Sequence, residues 1–167
     1  MRVYVPATAA DLATLAARSK PTELLASDLL GRPAQAVTAI LAARDDADQD
    51  ELEWEAFLAA SVDAAFILTE MPDAAPMRVV LSLEVPDAAV RELGAMATRE
   101  LNLPPSSVVI DASEGAKLKA IHVDEPETAA LIAAYRANPE APGALERLVE
   151  ADLLWYDPAE LSEIPIP

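Results

Sequence analysis

Cysteine is absent from this chain of 167 residues, which excludes disulfides, thiolate nucleophiles, zinc ribbons and iron–sulfur ligation together. Glycine is nearly as scarce. Gly31, Gly94, Gly115 and Gly143 stand too far apart to build a P-loop or a dinucleotide-binding fingerprint. Basic residues number 12 against 29 acidic ones, for a net charge of −17, so the surface repels phosphate backbones and anionic lipid head groups. Neither nucleic acid nor a membrane is therefore an expected partner. Aromatic residues make up only 4% of the chain, which leaves Leu, Val, Ile and Ala to build the core. No apolar run approaches the about 18 residues that span a bilayer. The opening Met1-Arg2-Val3-Tyr4-Val5-Pro6 reads as a strand and turn, not as the apolar core of a signal peptide. The expected compartment is the cytoplasm.

What is present describes a folded protein. A hydrophobic fraction of 53% with 25% charged residues lies far from the composition of disorder, and the length suits one globular domain over residues 1–167. Arg2 to Val5 reads as a strand feeding a helix capped by Thr8. Residues 19–35 read as irregular, with a short helix around Glu23 to Leu30. Ala36 to Arg44 reads as helix. From Gln49 to Glu70 the pattern predicts a long helix. Asp48 and Glu51 form a capping box, carboxylates crowd the first turns, and Trp54, Phe57, Leu58, Ala64, Ala65, Phe66, Ile67 and Leu68 offer an apolar face for burial.

Met77 to Val85 alternates as a strand, with Met77, Val79, Leu81, Leu83 and Val85 on one side and Arg78, Val80, Ser82 and Glu84 on the other. A helix is expected from Pro86 to Ala97. Strands Ser107 to Asp111 and Lys117 to Val123 would make a hairpin over the Ser113-Glu114-Gly115 turn. Helices over 124–137 and 142–150 and a last strand over 152–156 complete the chain. This order predicts an α+β fold: a ferredoxin-like split βαβ core with an added N-terminal strand, and N-terminal helices packed on a mostly antiparallel sheet.

The only histidine, His122, shares a strand face with Asp124, a spacing that suits a carboxylate-oriented general base. Asp124 also reads as the cap of the next helix, with Glu127 closing the box, and a lone histidine is more often structural. Leu154-Trp155-Tyr156 ends in Asp157-Pro158-Ala159-Glu160, another cap; its aromatics suit a pocket or a protein contact, or simply staple the strand to the core. Asp11, Asp87, Glu127 and Glu160 place carboxylates at the helix N-termini, which disfavours phosphate or nucleotide ligands. Glu51 and Glu55 sit four residues apart, as in carboxylate metal sites, and with His122 they would give a divalent-metal set, but a solvated helix start is the commoner reading. Asp45, Asp46, Asp48 and Asp50 lack the glycine and glutamate of a calcium loop. No cofactor and no metal are expected.

Met1 to Thr8, Ala36-Val37-Thr38, the Glu51 to Leu68 helix, Val85-Pro86-Asp87, Ile121-His122-Val123-Asp124 and Leu154-Trp155-Tyr156-Asp157 together resemble a family of uncharacterised actinobacterial proteins, a domain of unknown function. The likeness spans nearly the whole chain. It implies a bacterial cytosolic protein and carries no activity, cofactor or catalytic residue with it. Ala39 stands where the pattern has proline. Two functional expectations follow from the residues themselves. One is a non-catalytic binding or regulatory module acting through protein contacts on a sheet face or strand edge. The other is a small hydrolase or isomerase with His122 as general acid or base, assisted by Tyr4 and Tyr156.

Overall fold

The computed structural model describes residues 1–18, 20, 22, 29, 31–44, 46–112 and 115–167. The strands are β1 (Arg2–Ala7), β2 (Pro33–Ala36), β3 (Val79–Glu84), β4 (Val90–Glu92), β5 (Ser107–Ile110), β6 (Lys117–Asp124) and β7 (Leu153–Tyr156); the α-helices among the described residues are α1 (Ala9–Ala16), α2 (Ala39–Ala42), α3 (Gln49–Glu70), α4 (Ala95–Glu100), α5 (Ala129–Ala137) and α6 (Ala144–Val149). All seven strands among the described residues join one sheet in the order β4-β5-β2-β1-β3-β6-β7. Every pairing is antiparallel.

The α+β class stands, and the strand order departs from a ferredoxin-like core. A split βαβ unit would set β3 and β6 parallel, whereas they pair antiparallel; β5 joins β2 and β4, so the expected hairpin with β6 does not form. The helix expected over 86–97 is divided into a 3-10 turn at Asp87–Ala89, the short strand β4 and then α4. Helix Ala36 to Arg44 shrinks to Ala39–Ala42, because Ala36 is drawn into β2 and pairs with Val3. The short helix around Glu23 to Leu30 and the turn at Ser113-Glu114 lie outside the described residues, apart from Leu29.

Both faces of the sheet are covered. Val3, Val5, Val79, Leu81, Leu83, Val108, Ile110, Ile121 and Val123 form the main core with Leu12 and Leu15 of α1 and with Leu161 and Ile164. Across the opposite face runs α3. Asp48 caps it by accepting from the Asp50 and Glu51 N–H groups at 3.0 Å, and Glu51 returns the contact to the Asp48 N–H at 2.9 Å, satisfying donors that a helix start leaves open. Its buried stripe is made of small residues. Ala56, Ala60 and Ala64 are fully buried at i, i+4 spacing against Tyr4 and Val80, so the helix axis lies close to the strands. Further along, Ala65 and Leu68 pack with Ile132 and Tyr135 of α5 and Ala144 and Leu148 of α6. Trp54 and Phe66 are not part of this buried face, being 56% and 48% exposed. No helix among the described residues is long and apolar enough to cross a membrane.

Candidate functional site

Where the first turns of α3 pass over the β1, β3, β6 and β7 strands, the small-residue stripe gives way to large side chains and a cleft of about 720 Å³ opens. Such a volume is ample for a ligand group or a partner side chain. Tyr4, Trp54, Phe57, Trp155 and His122 form its walls, with Asp50, Glu53, Asp152, Arg2 and Lys119 also lining it. The chain has two Trp, three Tyr and two Phe; both Trp, one Tyr and one Phe meet here.

Phe57 is the hub. Trp54, one helical turn earlier, stacks on it at a centroid distance of 5.3 Å; Tyr4 meets it edge-on at 5.7 Å, and the His122 ring lies 4.7 Å away. These separations are those of favourable aromatic pairs. Register supplies the remaining wall. His122 pairs across the ladder with Trp155 on β7 and with Val80 on β3, and directly opposed residues share a sheet face. Trp155 therefore stands beside His122 on the cleft side, 59% exposed.

The same pairing places Tyr156 opposite Ile121, against the main core on the other face. Tyr4 and His122 thus meet in one cleft and Tyr156 does not. Strand alternation carries this result: once His122 opposes Trp155, its neighbour must point away. Trp54, Phe57 and Ser82 belong to the cleft and were not among the expected site residues. A 3.6-residue pattern marks Trp54 and Phe57 as apolar without showing that α3 overhangs the sheet there.

Tyr4, Ser82, His122 and Lys119 of the cleft each have a polar partner. The Tyr4 hydroxyl donates to Glu53 Oε2 at 2.7 Å; burial first, and the Glu53 carboxylate second, push the phenol well above its ordinary range, so it keeps its proton. Ser82 Oγ lies 2.9 Å from His122 Nε2, a diagonal contact between neighbouring strands. Burial lowers the His122 pKa to about 4, so the imidazole is neutral at physiological pH. Lys119 sits where the β3–β6 register shifts, and its ammonium lies 3.6 Å from Glu84.

Further along α3, at Ser61, lies a buried ion pair. Asp124 does not cap a helix; it takes a bidentate contact from the Arg78 guanidinium, with Nη2 to Oδ1 at 2.6 Å, and a backbone N–H bond from the same residue at 2.6 Å. Arg78 also donates to Ser61 of α3 and to the Ala151 carbonyl just before β7. One side chain thereby joins α3, β3, β6 and the approach to β7, the elements that wall the cleft. The Glu51, Glu55 and His122 combination considered for a metal is not assembled, because Glu51 caps α3 and Glu55 pairs with Arg44. Among the described residues no group of three His, Asp or Glu side chains is placed to hold a metal ion. A wider cleft of about 800 Å³ on the other face is lined by Ala16, Lys20, Leu118, Asp157 and Leu161 among others, with no aromatic or histidine among its described lining residues.

No curated protein matches this chain. No solved structure matches it either. The whole described architecture, from β1 to the C-terminal 3-10 helix, falls within a single family match, and over residues 1–164 the chain belongs to a family of unknown function, DUF6912.

Proposed function

We propose that the chain is a cytosolic, non-catalytic binding module that acts through protein contacts, with the aromatic cleft and the adjoining β7 edge as the surface that meets its partner. The observation that carries this reading is the gathering of both tryptophans, each more than half exposed, in one cleft at a sheet edge. Covering the exposed part of an indole is worth about 2–3 kcal/mol. Two of them supply the scale of a specific, reversible contact once binding costs are deducted. β7 ends the sheet, so the outward backbone groups of Leu153 to Tyr156 are available to an extended segment, a recognised mode of peptide capture. The surface charge of −17 favours a protein partner over nucleic acid or membrane.

The second reading, a hydrolase or isomerase built on His122, draws on the Ser82–His122 contact. A base that takes a serine proton at neutral pH needs a pKa near 7 and a third group to steady the imidazolium. Burial moves His122 the other way. No carboxylate contacts its ring among the described residues. The binding reading is tested in living cells by placing a photocrosslinking amino acid at position 155 and, as control, at position 96, where Met96 is 76% exposed at the far end of the sheet. A discrete protein adduct at 155 and none at 96 is the expected outcome. Equal, diffuse labelling at both positions would refute it.

A further inference from the structure

Resting on the binding-module reading above, we propose that the cleft selects a cation: the side chain a partner inserts between Trp54 and Trp155 is a lysine or an arginine. The walls are π-faces, whose quadrupoles attract ammonium and guanidinium groups placed over them, and a partly desolvated site strengthens that attraction. The rim adds charge of the matching sign. Asp50 and Asp152 carry carboxylates that make no hydrogen bond or ion pair with any described residue, and the Tyr4 hydroxyl holds the Glu53 carboxylate at the cleft wall. Each is a ready acceptor for a charge-assisted hydrogen bond.

Two basic residues also line the cleft, and neither reverses this balance. The Lys119 ammonium is offset by Glu84, and the guanidinium of Arg2 is outnumbered by the carboxylates of Asp50, Glu53 and Asp152 that line the same cleft. Tyr4 stays protonated and His122 stays neutral, so the floor of the cleft contributes polarity without positive charge. Around the site, the chain's net charge of −17 raises the local concentration of cations and repels acidic segments. An apolar side chain would gain from the same aromatic walls and nothing from the rim, which makes the neutral isostere the decisive comparison.

Trp54 and Trp155 are the only tryptophans in the chain, so intrinsic tryptophan emission reports on this cleft alone. The purified protein is titrated with four extended threonine-rich peptides that differ at one central position: lysine, arginine, norleucine or glutamate. Lysine and arginine peptides are expected to shift the emission and to bind about tenfold tighter than the norleucine peptide, with the preference shrinking in added salt. The double variant D50N/D152N, with its melting temperature checked, should lose most of that preference while still binding norleucine. Norleucine binding as tightly as lysine would overturn the cation inference and leave the binding-module reading standing. Silence from every peptide, and from free arginine and tetramethylammonium at millimolar concentration, would overturn it too, while the crosslink at position 155 decides the module reading separately.

Discussion

His122 owes its character to its neighbours. Its ring is sandwiched among Phe57, Ser82 and the β-ladder, with no carboxylate against it, so burial dominates and the neutral form is favoured. Because the folded-state pKa of about 4 lies below the ordinary 6.5, the unfolded chain takes up the proton first as pH falls. The resulting stability is fully present above pH 6.5 and is lost as pH drops through 4, amounting to up to about 3 kcal/mol. Asp63 works in the opposite sense. Burial raises its carboxyl, which accepts from Gln35 at 2.7 Å, so its contribution weakens as pH rises above its ordinary value. The two are separable because the chain has one histidine: a single imidazole resonance followed by NMR should titrate below pH 5. A midpoint near 7 would restore His122 as a candidate base. Sequence alone showed a lone histidine on a strand; its desolvation depends on Phe57, 65 residues earlier, and no local pattern reports that.

At the scale of elements, the Arg78–Asp124 pair is the joint on which the cleft depends. Removing one partner leaves a buried charge without compensation, which costs far more than the net worth of the pair. D124A is expected to lose about 3–5 kcal/mol in chemical denaturation, and R78M/D124L should recover most of that loss. A loss within about 0.5 kcal/mol for D124A, the range of ordinary surface substitutions, would contradict the assignment. Asp124-Glu125-Pro126-Glu127 carries a helix-start signal, and in the fold Glu125 is the residue that precedes the 3-10 turn at Pro126–Thr128. A local signal and a long-range partner competed for one carboxylate, and the buried arginine won because nothing else could neutralise it. By contrast, the Asp48–Glu51 and Asp157–Glu160 boxes formed as the residues suggest, since every group they need lies within three residues.

Across the whole molecule, strand order is where sequence reading falls short. Alternation marked Met77 to Val85 and Lys117 to Val123 as strands, and both are. Which strands adjoin is decided by how α3 and the main core divide the two faces, and that information is distributed over the chain. The four-residue β2, opened by Pro33, carries too short a pattern to be seen, yet it sits between β1 and β5 and displaces the expected hairpin. The site suffers the same limit. Tyr4 and His122 were legible as chemically interesting residues, while the choice of Trp155 over Tyr156 needs the β6–β7 register.

The same global arrangement separates the residues that hold the fold from those proposed to meet a partner. Ala56, Ala60 and Ala64 anchor α3, so the indoles of Trp54 and Trp155 are left facing solvent. The most direct measurement is therefore recovery of the position-155 crosslinked partner, as a competitor-sensitive complex, by wild-type protein and by the double variant W54A/W155A. The variant should melt within a few degrees of wild type and fail to bind that partner. Undiminished binding by W54A/W155A, or its collapse into an unfolded chain, would contradict a cleft built for binding.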